Sequence, residues 1–264
     1  MLNIKIKGLL KGTKEAEGIA ILIDIFRAGT NIALALSKGA KEVIPIESLE
    51  ESLQLMSQHP DYIFMGERDG IKVPQFHFGN SCYEIDQGNF DGKIVSINTT
   101  AGSKGILNAE KADQVIIGGF ANSPAIEEYI QKEYWRLYDG TKPITVTIVP
   151  LGWACQSAAF EDCAYAKYLK DRLVVNPAFI GCAYNGTEIH RHEVKIPSYE
   201  AVTLEILQST FVKHTFLNPK NTHFREEDLP YCLTLGMYNV VPKVFQTGQG
   251  PTIRNTLTYN PNSP

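Results

Sequence analysis

Strand-length apolar runs alternate with helical patterns along the first 171 residues of this chain. Six runs predict strands, at 19–24, 42–46, 62–66, 93–98, 114–119 and 144–152. Helical patterns lie at 30–40, 48–58, 101–109, 123–134 and 158–171, with Ser48 as the predicted N-cap of the second helix. Because helices usually supply the crossovers between parallel strands, this alternation predicts a three-layer α/β/α fold with a largely parallel central sheet.

The pattern changes after Asp171, where a loop-rich stretch begins. The remaining predicted elements are a short strand at 192–196, helices at 199–210 and 225–237, and a late strand at 239–245. We predict a single α/β domain over 1–264, and two lobes dividing near 171–197, with a smaller C-terminal lobe, stay an open alternative. The tail at 258–264 is predicted to be frayed or disordered.

Net charge and cysteine usage exclude several classes of protein. The formal net charge is −4, so the chain lacks the basic surface that nucleic-acid binding requires. No apolar run approaches the ~20 residues of a membrane-spanning helix, and the charged N-terminus is unlike a signal peptide. Apolar helix faces in the second half leave a homodimer open. The five cysteines form no CxxC pair and indicate free thiols in the cytoplasm: Cys82, Cys155, Cys163, Cys182 and Cys232.

Polar residues collect directly after the predicted strands. Asp24 and Arg27 follow the first strand, and Glu67 and Arg68 follow the third. Further polar loops lie at 98–103, at Asn122 and at 150–153. Because ligands bind outside the carboxyl ends of parallel strands, these loops predict one site at a common edge of the sheet.

The residue types in these loops suit a metal-assisted site for an anionic substrate. Carboxylates with oxygen-bearing neighbours suit Mg²⁺, and arginines match phosphate or sulfonate oxygens. The chain lacks a P-loop, a second Asp two residues after Asp24, a cysteine-phosphatase loop and an Arg-His-Gly triplet. A metal-activated water is therefore the simplest nucleophile, and Thr99 or Thr100 as a covalent nucleophile is a weaker alternative.

Each of these features also has a structural interpretation. Asp24 and Arg27 could form an ion pair at a strand end, and 66–70 could be a polar turn. Acids such as Glu161 and Asp162 inside a helix are usually solvated. The functional prediction therefore depends on these residues meeting in space.

Several motifs, in order and spacing, resemble the 2-phosphosulfolactate phosphatase (ComB-type) family. The motifs are IDIFRAGT, GERDG, FGNSCYE, NTTAGSKG, GGFANSPAI and AFEDCAYA, followed by DLPYCLTLGMYNVVPKV. The resemblance covers residues 18–245. It implies a Mg²⁺-dependent phosphatase that hydrolyses (2R)-phospho-3-sulfolactate to sulfolactate, a step of coenzyme M synthesis.

The resemblance also implies residue roles. Asp24, Glu161 and Asp162 would be the metal-site acids. Asp24, Glu67 and Thr100 would be catalytic, with Glu67 as a general acid/base or a support for the metal ligands. The residues implied to bind substrate are Arg27 and Arg68, for phosphate and sulfonate, and Asn80, Ser81, Thr99 and Asn122.

Two departures from the family pattern leave the activity and substrate open. The family usually has an asparagine where this chain has Ala101, and a Cys-Ala-Gly sequence where this chain has residues 150–152. An amide is thus replaced by a methyl group beside the predicted site. A phosphoester related to 2-phosphosulfolactate is one alternative substrate. A non-catalytic binding protein for a phosphorylated or sulfonated metabolite is the alternative function.

Overall fold

Twelve strands and ten α-helices make up the part of the chain, residues 1–258, that the computed structural model describes. The strands are β1 Leu2–Ile6, β2 Ile19–Ile23, β3 Glu42–Pro45, β4 Ile63–Arg68, β5 Ile71–Lys72, β6 Ile94–Asn98, β7 Gln114–Gly118, β8 Ile144–Pro150, β9 Cys182–Tyr184, β10 Thr187–Ile189, β11 Pro242–Thr247 and β12 Gly250–Asn255. The predicted frayed tail lies, from residue 259 onward, outside the described residues.

Helices flank the sheet. They are α1 Leu9–Lys14, α2 Ala28–Ser37, α3 Leu49–Gln58, α4 Cys82–Asp86, α5 Gly102–Leu107, α6 Ser123–Leu137, α7 Phe160–Val175, α8 Tyr199–Leu207, α9 Thr210–His214 and α10 Asp228–Leu233. Two single 3₁₀ turns lie at Phe120–Asn122 and Arg191–Glu193. Within the described residues, every helix is too short or too polar to span a bilayer. The predicted α/β fold with a largely parallel sheet between helices is confirmed.

The sheet has the order β10-β9-β1-β8-β2-β7-β11-β12-β3-β6-β4-β5. One parallel segment contains β1, β8, β2 and β7, and a second contains β3, β6 and β4. The β11–β12 hairpin lies between them and pairs antiparallel with β7 on one side and β3 on the other. The C-terminal residues therefore complete the middle of the sheet.

Three antiparallel pairings separate the two parallel segments in the sheet. In the strand-to-strand pairing, the strands of one segment therefore have the opposite direction to those of the other. Five steps lead from β2 to β6, and at about 20–25° of twist per step they accumulate roughly 100–125°. A rotation of this size turns the two strand directions well away from antiparallel. The carboxyl ends of both segments can then face one cavity, although they do not share one straight edge.

Most predicted elements are present, with one clear error and several omissions. Ser48 accepts a hydrogen bond from the backbone N–H of Glu51 at 3.2 Å, so the predicted N-cap is confirmed. The strand predicted at 192–196 is wrong, since a 3₁₀ turn and an irregular segment occupy it. The prediction also omitted β1, β5, β9, β10 and β12.

Buried apolar residues explain why the sheet centre is stable. All five residues of β2 are buried, as expected for a strand covered by helices on both faces. The main core cluster extends from Leu2 in β1 to Ile253 in β12. The strands thus provide a rigid base for the loops that follow them.

Candidate active site

A cavity opens where the carboxyl ends of β2, β4, β6 and β8 meet the first turn of α7. Most of the predicted site residues line it: Asp24, Arg27, Glu67, Asn80, Thr99, Thr100, Glu161 and Asp162. Aromatic side chains complete its wall: Phe26, Trp153 and Phe224. Residues from both parallel segments therefore meet in one place.

Asp24 lies directly after β2 and is half-buried. Its Oδ1 accepts a hydrogen bond from the backbone N–H of Ala28 at 3.2 Å. Its Oδ2 lies beside Gly102, where a Cβ atom would come within 3.2 Å of it. Burial raises the pKa of Asp24 to about 7, and the negative charges of Glu67 and Glu161 add to this shift.

Glu161 and Asp162 occupy the first turn of α7, and both are buried. Asp162 accepts the backbone N–H of Ile25 at 2.9 Å with one oxygen and that of Gly152 at 2.9 Å with the other. It thereby joins the loops that follow β2 and β8. Burial raises the pKa of Glu161, and burial with the charges of Asp24 and Glu161 raises the pKa of Asp162 well above its usual value.

Glu67 holds two loops together from the end of β4. One carboxylate oxygen accepts the backbone N–H of Thr100 at 2.8 Å. The other accepts the backbone N–H of Gly70 at 2.6 Å and the Thr100 hydroxyl at 3.1 Å. A hydroxyl that donates to a buried carboxylate is a recognised arrangement for general-base activation, so Thr100 and Glu67 can act as a pair.

Arg27 is only 1% exposed and is held by a fully buried carboxylate. Its Nη1 donates to Asp228 Oδ2 at 2.7 Å and to the carbonyl of His223 at 3.0 Å. The guanidinium carbon lies 4.4 Å from the centroid of the Phe224 ring. Among the described residues, the buried Nε has no hydrogen-bond partner. Arg27 therefore reaches the cavity with donor capacity that the protein does not use.

Sequence reasoning missed Asp228 and Phe224. Besides Arg27, Asp228 accepts the Ser81 hydroxyl at 2.7 Å and the backbone N–H of Tyr83 at 3.0 Å. In the sequence, Asp228 looks like an ordinary acid in the first turn of a short helix. The DLPYCL stretch of the family resemblance was the one available signal.

Three predicted substrate-binding residues lie outside the lining of this cavity. Arg68 donates to the carbonyls of Glu67 at 2.8 Å and Glu47 at 2.8 Å, so it stabilises loops. Ser81 points its hydroxyl at Asp228. Asn122 is buried, where its side chain binds the backbone around Gly119 and the carbonyl of Val240.

Cysteine chemistry does not fit this cavity. All five cysteines are free, as predicted. Cys155 follows Ala154, which lines the cavity, and its thiol donates to the carbonyl of Ala101 at 3.3 Å. Burial raises the pKa of Cys155 to about 12, so the thiol is protonated near neutral pH and is a poor nucleophile.

Acidic groups outnumber basic groups around the cavity. Asp24, Glu67, Glu161 and Asp162 line it with a single lining arginine, whose charge is balanced by Asp228. No set of three or more His, Cys, Asp or Glu side chains within residues 1–258 is arranged to hold a metal ion unaided. Asp162 uses both of its carboxylate oxygens to accept backbone N–H groups of the neighbouring loops. The carboxylates of Asp24 and Glu161 do not bridge two loops in this way, and Asp24 accepts the N–H of Ala28 through Oδ1.

Comparison with known proteins identifies the family. The family model described as 2-phosphosulpholactate phosphatase matches residues 5–247. The chain belongs to the 2-phosphosulfolactate phosphatase family. This confirms the resemblance seen in the motifs and makes the chain a phosphatase, that is, a phosphoric monoester hydrolase.

Individual members of the 2-phosphosulfolactate phosphatase family match over most of their length. A protein of Carboxydothermus hydrogenoformans named probable 2-phosphosulfolactate phosphatase is 30% identical over 233 residues, which cover 87% of this chain and 88% of its own. One of the same name from Clostridium perfringens SM101 is 37% identical and covers 90% of each chain. The Bacillus subtilis protein of that name is 26% identical, covering 90% of this chain and 92% of its own.

Proposed function

We propose that this phosphatase is Mg²⁺-dependent and hydrolyses a small anionic phosphoester, 2-phosphosulfolactate or a relative, by metal-assisted attack of water. The observation that carries the proposal is the meeting of Asp24, Glu161 and Arg27 at one cavity. Two carboxylates supply oxygen ligands, and an arginine with an unused donor supplies an anion contact. The names of the related proteins supply the substrate.

The donor set fits Mg²⁺ better than a metal bound by protein alone. Mg²⁺ commonly keeps several waters and uses one or two carboxylates together with phosphate oxygens. Asp24 and Glu161 would be those carboxylates, with Asp162 holding the surrounding loops through its two N–H contacts. When bound, the ion supplies Lewis-acid polarisation of the phosphoryl group and activation of water. It would also offset the mutual repulsion that accompanies the raised pKa of Asp24.

The chain's own residues would orient the ester and move a proton. Arg27 would donate to a phosphoryl oxygen, because its guanidinium is fixed by Asp228 on one side. Thr100 and Thr99 would line the face opposite, and Glu67 would accept a proton through the Thr100 hydroxyl. In the alternative mechanism, Thr100 would attack phosphorus while Glu67 takes its proton. The ester P–O bond would break, and the alcohol would leave with a proton. Water would then hydrolyse the phosphothreonine to release phosphate.

Asp24→Asn tests the proposal. We expect wild-type protein to hydrolyse 2-phosphosulfolactate with Mg²⁺ and to stop in EDTA. Asp24→Asn should lose roughly 100-fold or more in kcat/KM, as expected when a ligand of a catalytic metal is removed. Asp61→Asn, which changes an exposed aspartate, is the matched control. Hydrolysis that survives both EDTA and Asp24→Asn would refute metal dependence.

A binding protein without turnover is the second candidate, because Ala101 lines the cavity where the family usually has an amide. In that case, 2-phosphosulfolactate should raise the melting temperature without releasing phosphate. Measurable turnover excludes this function.

The free thiols support a cytoplasmic location. A homodimer stays a prediction, which sedimentation equilibrium would test.

A further inference from the structure

We propose that the active-site cavity continues into a basic annex that binds a second anionic group of the substrate. The basic annex is a smaller cavity lined by Lys72, His223 and Arg225, and it shares Gly70 and Asn80 with the main cavity. This inference rests on the proposed phosphatase function. It assigns a position to the part of the substrate that does not react.

Lys72 forms one wall of the basic annex. It pairs directly with Glu67 across the β4–β5 hairpin, so the two side chains leave the ribbon on the same face. Glu67 contacts the main cavity, and Lys72 therefore lies beside it. A Cβ atom at Gly79 would come within 3.1 Å of the Lys72 Cβ, which shows that the lysine stem packs tightly against this glycine.

Arg225 and His223 also line the annex. The guanidinium of Arg225 is held by Glu84 of α4 at 2.8 Å. The carbonyl of His223 accepts a hydrogen bond from Arg27 at 3.0 Å. Arg27 thus connects the backbone of the annex to the main cavity. This contact keeps a defined spacing between Arg27, the anion contact of the main cavity, and the cations of the annex.

Charge is separated along the combined cavity. The main cavity is lined by four carboxylates and one arginine, whereas the annex is lined by two cations with Glu84 as its one acid. A phosphoryl group would be held with Mg²⁺ at the acidic end, and a sulfonate or carboxylate would be held at the basic end. Arg68, the predicted second-anion contact, binds loop carbonyls instead.

With the proposed phosphatase function, the annex would hold the sulfonate or carboxylate that a small phosphomonoester substrate carries besides its phosphoryl group. A phosphoester without a second anion would make no contact with Lys72 and Arg225 and would bind more weakly. The annex therefore contributes to substrate selection and does not take part in breaking the ester bond.

Kinetics with two substrates test the annex. We compare 2-phosphosulfolactate with p-nitrophenyl phosphate, which has no second anion, for wild type, Lys72→Met and Arg225→Met. Each variant should raise KM for 2-phosphosulfolactate about tenfold, since a charge-assisted contact is lost. The value of kcat/KM for p-nitrophenyl phosphate should stay within about twofold. Lys132→Met, which breaks an exposed pair with Glu128, is the matched control and should change neither value.

An equal loss of kcat/KM for both substrates, or no change in KM for either substrate, would refute anion binding in the annex. A wild-type protein that hydrolyses no phosphoester would refute the proposed function instead. In that event, calorimetric titration with 3-sulfolactate decides the annex by itself. Binding that weakens about tenfold in Lys72→Met and Arg225→Met supports it, whereas equal binding by all variants, or no binding by wild type, rejects it.

Discussion

Arg27 and Asp228 form an ion pair that is almost completely removed from water, with side chains 1% and 0% exposed. Removing two charges from water is costly, and such a pair persists only when hydrogen bonds satisfy the remaining donors and acceptors. Asp228 meets this condition through Ser81 and Tyr83. Arg27 does not, since its Nε is unpartnered among the described residues. Asp228 therefore has partners for both carboxylate oxygens, whereas Arg27 keeps one buried donor without a partner among the described residues.

Asp228→Asn tests whether this buried ion pair contributes more to the free energy of unfolding than a partly exposed ion pair does. The substitution keeps the side-chain shape but leaves Arg27 as a buried unpaired cation, which should lower the free energy of unfolding by about 3–5 kcal/mol. Urea denaturation measures it. Asp86→Asn, which removes a partly exposed pair with Lys38, should cost about 0–1 kcal/mol. Inorganic phosphate should restore part of the stability of Asp228→Asn, and equal losses in the two variants would contradict this interpretation.

At the scale of elements, the loops approach Asp24 so closely that a glycine is needed. Gly102 begins α5, and a Cβ there would lie 2.7 Å from the Cβ of Ala28 and 3.2 Å from Asp24 Oδ2. The first distance is too short for real atoms, so α2 or α5 would have to move. Packing between these two helix starts therefore fixes the position of the carboxylate.

Gly102→Ala should damage the site more than the fold. Overpacking of this kind costs about 1–3 kcal/mol of stability. Displacement of Asp24 should also weaken the response of the melting temperature to Mg²⁺. Gly248→Ala is the control, because a Cβ at that turn meets no atom within 4 Å. If Gly102→Ala keeps the wild-type Mg²⁺ response and kcat, the close approach has no role in positioning Asp24.

The same scale shows what the sequence could predict. The run at β2 and the N-cap at Ser48 depend on local pattern, and both were found. Strand β1 was not predicted, although its alternating sequence LNIKI is a local pattern typical of a strand. The edge strands β9 and β10 have three residues each, which is too short for a periodic signal.

The site shows the same division between local and long-range information. Acids after strand ends could be found from the chain alone, because parallel topology brings strand ends together. The partner of Arg27 lies 201 positions away, so only folding reveals it. The contacts of Arg68 also depend on folding, and its predicted role in substrate binding stays a prediction. An arginine next to a site resembles an anion contact until the nearby carbonyls of Glu67 and Glu47 are known to bind it.

At the scale of the whole molecule, the cavity lies between two parallel segments that the β11–β12 hairpin joins. Asp24 follows β2 of the first segment, and Asp162 lies in the first turn of α7, which follows β8 of that segment. Glu67 and Thr100 belong to the second segment. Contacts across the cavity are therefore contacts between the halves of the sheet. Repulsion among its carboxylates acts on the stability of the whole fold.

This repulsion predicts how stability depends on pH when divalent cations are absent. Burial raises the folded-state pKa of Asp24 to about 7, above its ordinary value of 3.8, so the folded protein binds the proton more tightly than the unfolded chain does. In EDTA, the contribution of Asp24 should therefore destabilise the fold above about pH 7. The destabilisation should be relieved as pH falls from about 7 toward 4.

Asp24→Asn isolates this contribution, because the amide keeps an oxygen for the N–H of Ala28 and carries no charge. At pH 8 in EDTA, the variant should be more stable than wild type, and the difference should shrink as pH is lowered through about 7. Mg²⁺ at pH 8 should stabilise wild type and leave the variant unchanged. Urea denaturation at pH 6 and pH 8 measures all three effects. A variant less stable than wild type at pH 8 would mean that Asp24 stabilises the fold, and the cavity would then need no cation.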